Sequence, residues 1–266
     1  MLKMTIRDIL APRTVANFET GLTAMQNGDL EEAEQAWLAL ADRASSDDCR
    51  KIADALSALA ATYLRQDDNV DKAGQLFTRA LQLRQDYLPA NDQSIAIELN
   101  NLGMNYERCG NRDEAIEHLN KAVEILDQYP EIAESNLADP YDNLASLIFE
   151  NGPLSRAHSV CQRALDIRVE TLGDIHPHSI MSLLLLWKIQ TAEKPHSRLA
   201  RETGKEYKAR VAKLAGVTAQ HGDTLLKDTL TVASRMDDRE GADLVAASLG
   251  MLAKEHLMLQ RLAASS

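Results

Sequence analysis

The chain has 266 residues, 45% of them apolar but only 4% aromatic, and a formal charge of −11. Alanine and leucine dominate while glycine (12) and proline (7) are scarce, which favours helix and leaves too few β-branched and aromatic residues for a sheet protein. The acidic balance argues against nucleic acid as the main partner, because phosphate binding rests on a basic surface.

The first segment, MLKMTIRDILAPR (1–13), is expected to be an N-terminal extension. Lys3, Arg7 and Asp8 interrupt its apolar residues, so it lacks a signal-peptide core. The three cysteines, Cys49, Cys109 and Cys161, are widely spaced and form no CxxC pair. That pattern is neither a disulfide framework nor a zinc signature, and it points to a reducing, cytoplasmic location. The longest apolar stretch, LLLLW at 183–187, is too short to span a bilayer, so no membrane insertion is expected.

Helical hairpins follow in chain order. GLTAMQNGDLEEAEQAWLAL (21–40) places Gly21, Gly28, Ala33 and Trp37 at positions that recur downstream. LSALAATYLRQDDNVDKAGQLFTRALQL (56–83) repeats them as Ala60, Tyr63, Ala73, Phe77 and Ala80, with one extra residue in its turn. LNNLGMNYERCGNRDEAIEHLNKAVEI (99–125) and YDNLASLIFENGPLSRAHSVCQRALDI (141–167) align without a gap at a shift of 42.

Each unit has a helix A with apolar residues at i, i+3 and i+7, as in Leu99, Leu102 and Tyr106. Its helix B carries them at i, i+4 and i+7, as in Ala115, Leu119 and Ala122. Gly103 and Ala115 are small where the two helices cross closely. Gly110 and Gly152 stand where helix A ends, a position that favours a left-handed cap. The key alanine recurs at 33, 73, 115 and 157, and the spacing predicts further hairpins around Ala200 and Ala242.

This small–aromatic–turn–Ala pattern resembles the tetratricopeptide repeat. LNNLGMNY and LGDIHPHS are similar, more narrowly, to the repeats of kinesin light chains. The resemblance implies an all-α, right-handed superhelical solenoid of helical hairpins with a C-terminal capping helix pair. Residues 14–190 would form about four repeats plus the first helix of a fifth, and 191–266 degenerate hairpins and capping helices.

TLGDIHPHS (171–179) has the look of a metal site, but it lies between helix B of one unit and helix A of the next. The equivalent joints, YLPANDQSI (87–95) and YPEIAESNLADP (129–140), contain no histidine. Gly173 suits a helix C-cap and Pro177 a first helical turn, so the stretch reads as a connector and no metal is expected.

No nucleophile–base set, phosphate loop or HExxH motif stands out, so neither catalysis nor a cofactor is expected. His118 and His158 fall on polar-facing positions of helices B, His256 lies in an apolar run, and Cys161 takes the core position of Phe77 and Leu119.

Stacked helices A instead offer a concave groove. Counting the free stripe places Phe18, Leu22, Met25, Asp54, Ser57, Ala61, Leu64, Asn100, Met104, Glu107, Asp142, Ser146, Phe149, Leu184 and Lys188 on it. Chaperone-type members of the family hold a C-terminal carboxylate there with Lys, Arg and Asn, and only Asn100 resembles that set. The mixture suits a protein or peptide partner that is apolar with basic residues.

Trp187 stands where earlier repeats have Gly or Ala, and Gly204 where they have a large residue, so the two are expected to pack together. Residues 188–213 hold eight Lys/Arg against three Glu, and Lys194, Arg198, Arg201, Lys205 and Lys208 share one helical face. That face is either solvated or docks the acidic body of a second copy or an acidic partner. The final helix, 239–264, either caps the array or forms a homodimer surface. The chain therefore reads as a non-enzymatic scaffold or adaptor. A peptide-responsive regulator and a secretion or assembly chaperone are the alternatives.

Overall fold

The structure, a computed structural model, describes residues 18–66, 69–129, 131 and 134–221. The N-terminal extension, the hairpin around Ala242, His256 and the final helix with its dimer surface lie outside them. The described residues are helical, with no strand among them. They fall into two compact units, divided after Glu131.

Unit 1 contains three hairpins: α1 (18–27) with α2 (Leu30–Ala41), α3 (Cys49–Gln66) with α4 (Val70–Tyr87), and α5 (Gln93–Arg108) with α6 (Arg112–Leu126). Short polar turns start the helices. Asp29 accepts a hydrogen bond from the Glu32 amide and Asn69 from that of Lys72, each satisfying a donor that the first turn leaves orphaned. The repeated alanines 33, 73 and 115 are fully buried. A β-carbon on Gly103 would lie 3.0 Å from Leu119 Cγ and 3.2 Å from the Ala115 carbonyl, which is the close crossing expected there.

Tyrosines at the ends of helices B clasp the neighbouring hairpin's joint. Tyr87 donates to the Ala44 carbonyl and Tyr129 to that of Asn91, each at 2.7 Å.

Unit 2 contains a 3-10 turn (Ser135–Ala138), then α7 (Asp139–Asn151) with α8 (Leu154–Leu172), and α9 (Pro177–Glu193) with α10 (Arg198–His221). Ala157, Cys161 and Ala164 are fully buried, and Ala200 is nearly so, as the spacing requires. Burial pushes the Cys161 thiol well up, so it behaves as a packed hydrophobe.

TLGDIHPHS is the α8–α9 connector. Gly173 (φ 91°) follows α8, His176 is the N-cap of α9 with its ring nitrogen accepting from the His178 amide, and Pro177 opens the helix. Two expectations need correction. Gly110 does turn with φ 80°, but Gly152 is extended (φ −110°, ψ −171°), because the residue before Pro153 is steered away from helical conformations. His158 is half-buried, its ring nitrogen 3.1 Å from the Gln190 amide of α9, not facing solvent.

Candidate functional site

In each unit the free stripe of helix A is organised by a buried arginine from helix B. In unit 1, Arg84 of α4 reaches α3 and α5. Its Nη2 donates to Asp54 Oδ1 at 2.5 Å and its Nε to Glu98 Oε1 at 3.3 Å, and Ser57 Oγ donates to the same Glu98 oxygen at 2.6 Å. In unit 2, Arg168 of α8 reaches α7 and α9. Its Nη2 donates to Asp139 Oδ1 at 2.6 Å, its Nη1 lies 2.8 Å from Asp142 Oδ2, and Ser182 Oγ donates to that Asp142 oxygen at 2.7 Å.

The two clusters occupy the same repeat positions. Allowing for the extra residue in the α3–α4 turn, Arg84 matches Arg168, Asp54 matches Asp139, Ser57 matches Asp142 and Glu98 matches Ser182. The acid and the hydroxyl have changed places between successive inner helices while the guanidinium is unchanged. The intervening repeat has Leu126, Ile97, Asn100 and Pro140 at these four positions, and Leu126 is fully buried. The charged set is thus present together or absent together, as the penalty for an unpaired buried charge demands.

Each cluster sets two carboxylates against one guanidinium. The inner ones are strained electrostatically: burial pushes the Glu98 carboxyl up despite its hydrogen bonds from Ser57, Asn101 and Arg84. Burial likewise drives Asp142 to about 6, against the opposing charge of Arg168 and the bond from Ser182. The outer ones face water. Asp54 and Asp139 are 70% and 48% exposed, while their arginines are 5% and 7% exposed.

The expected stripe is only partly available to a ligand. Leu22, Met25, Ser57, Ala61 and Leu64 are half-buried in unit 1, as are Asn100 and Met104, and Glu107 is exposed. In unit 2, Ser146 is exposed, and Phe149 and Lys188 are half-buried.

Three placements differ from expectation. Leu184 is buried, because the apolar residues of α9 are spread around the helix and it packs on more than one side. Phe18 is at the edge of burial, with its ring 6.0 Å from that of Trp37 and covered by Lys51 Nζ at 3.9 Å. Asp142 is turned into the Arg168 cluster, so Asp139, which sequence reasoning passed over, is the exposed acid of that helix. Arg84, Arg168, Glu98 and Ser182 were also missed. The recurrence of arginine at one helix B position two repeats apart was the available signal.

Trp187 and Gly204 meet across the α9–α10 seam, and the indole stacks on Tyr207 with centroids 5.7 Å apart. Its outer edge remains half-exposed.

Tetratricopeptide-repeat family profiles match residues 51–128 and 137–178. No curated protein matches the sequence. Among solved structures, the chain is similar to a kinesin light chain with nearly identical TPR-like repeats from Podosopora anserina. Identity there is 22%, TM-score 0.56, with 79% of this chain and 98% of that one covered. BtubC (BKLC) from P. vanneervenii is 22% identical at a TM-score of 0.59, covering 76% of this chain and 80% of that one. The apo form of RapI is 14% identical at 0.56, covering 94% and 99%. At these identities the likeness establishes the fold, an α-solenoid of TPR-like hairpins. Such arrays are protein-interaction folds. Residues 51–128 and 137–178 thus match the tetratricopeptide repeat, and the chain shares the TPR-like solenoid fold of neighbours that include kinesin-light-chain repeats.

Proposed function

We propose that the chain is a non-enzymatic, cytoplasmic adaptor that binds an apolar, basic protein segment on the free stripe of its helices A. The excess of carboxylate over guanidinium in each cluster carries the reading. Asp54 and Asp139 are held by buried arginines yet remain exposed, so a basic side chain meets an anchored, pre-oriented acid.

Half-buried Leu64 and Met104 on the helices A of unit 1, and half-buried Phe149 on that of unit 2, supply apolar contact further along each unit's own stripe. Apolar anchors contribute most of the affinity, and the acids tune association rate and selectivity. Nucleic acid and membrane play no part in this reading. No described helix is long and apolar enough to cross a bilayer.

The test is affinity capture with the intact chain, followed by titration of the recovered partner. Phe149→Ala is expected to weaken binding by at least about tenfold. Asp139→Asn should weaken it about threefold and flatten its salt dependence. Affinities equal to the unmodified chain in both variants would overturn the assignment of this face.

A further inference from the structure

A second surface has the opposite charge. Trp187 of α9, His196 of the following turn, and Arg201, Gly204, Lys205 and Lys208 of α10 surround an open cleft of about 290 Å³. Gly204 has no side chain, and the Trp187 indole occupies the space a β-carbon would take, 2.7 Å from Cε2. The indole therefore lies against the α10 backbone and forms an aromatic floor. His196, at φ 65°, closes one end.

The cations around this floor are uncommitted. The acids on the same stretch of α10 are engaged elsewhere, Glu202 with Arg198 at 2.7 Å and Glu206 with Arg210 at 2.5 Å. Among the described residues, Arg201, Lys205 and Lys208 form no ion pair. Lys208 Nζ stands 6.0 Å from the Trp187 centroid, at the outer limit of a cation–π contact. Three exposed cations ringing one aromatic invert the sign of a chain whose net charge is −11.

We propose that this cleft docks an acidic peptide segment, its carboxylates on Arg201, Lys205 and Lys208 and an apolar side chain on Trp187. Arg201 can take a carboxylate through two parallel hydrogen bonds, and the lysines act as point charges. The indole supplies rigid apolar area between them. A polynucleotide fits less well, because tracking phosphates requires a longer basic surface. The site is independent of the helix A stripe, and its ligand has the opposite charge.

The intact chain is titrated with a fluorescein-labelled peptide of alternating glutamate and leucine, and with its glutamine–leucine counterpart, by anisotropy. The glutamate peptide is expected to saturate, to weaken as salt is raised, and to shift Trp187 emission; the glutamine peptide should bind at least about tenfold more weakly. Lys205→Glu should weaken the glutamate peptide about tenfold or more, whereas Lys213→Glu, the same charge change on an exposed α10 residue outside the cleft, should stay within about twofold. Equal effects of the two reversals, or equal binding of the two peptides, would overturn the proposal. So would self-association of the chain that Lys205→Glu abolishes, since the occupant would then be a second copy.

Discussion

Trp187 and Gly204 face each other across the α9–α10 seam so closely that a β-carbon on the glycine would lie 2.7 Å from the indole. The first hairpin has the reverse arrangement, with Gly21 on helix A against Trp37 on helix B. Size is complementary across both seams, with the large and small residues exchanged. Gly204→Leu is therefore expected to overpack the seam and lower stability by ~1–3 kcal/mol. A denaturant midpoint unchanged by the substitution would show that the indole moves aside freely.

The Arg84 cluster makes a sharper prediction. Arg84→Ala leaves Glu98 buried and uncompensated, which should cost about 3–5 kcal/mol. Replacing Arg84 and Glu98 together by leucine imitates the intervening repeat, where Leu126 fills the arginine's position, and should recover most of that loss. The double-mutant cycle is expected to be strongly non-additive. Additive losses would mean that the two side chains do not depend on one another.

How much of this was legible in the sequence follows from what each feature depends on. Helix periods, the recurring alanines, the connector at 171–179 and the Trp187–Gly204 pairing are consequences of spacing and size, and spacing and size are visible in the letters. Gly152 was misread because its own identity was weighed without that of Pro153. Leu184 was misplaced because the run of four leucines at 183–186 puts apolar side chains on every side of α9 there, so periodicity could not say which side is open. The arginine clusters join three helices from two hairpins. A stripe counted along single helices has no access to a side chain arriving from behind, and that is why Asp142 was assigned outward and Asp139 overlooked.

The exchange of acid and hydroxyl between the two clusters can be tested directly. Glu98→Ser alone removes a partner of Arg84, and Ser57→Asp alone adds a third carboxylate to a cluster with one guanidinium. Made together, they recreate in unit 1 the arrangement of Asp142 and Ser182. The double variant is expected to lie within about 1 kcal/mol of the unmodified chain, with each single variant less stable. A double variant less stable than either single would show the clusters are not equivalent.

Asp142 imposes a pH dependence. Its folded pKa of about 6 lies above the ordinary aspartate value of 3.8, so between these values the native chain holds the proton more tightly than the unfolded chain. The resulting stability is fully present below the unfolded value and is lost as pH rises through about 6. Stability of the unmodified chain minus that of Asp142→Asn should fall from about pH 4 to about pH 7, by at most about 3 kcal/mol. A difference that rises or stays flat over that range would mean that Arg168 outweighs burial.

The central claim is that partners meet the helix A stripe through exposed, anchored carboxylates. Carbodiimide footprinting of the intact chain, with and without its captured partner, addresses it side chain by side chain. Asp54, Glu107 and Asp139 are expected to be labelled in the free chain and protected in the complex. Glu114, Glu117 and Glu124 on the helix B of α6 should be labelled equally in both. Protection of the α6 carboxylates with Asp54, Glu107 and Asp139 still labelled would contradict the account.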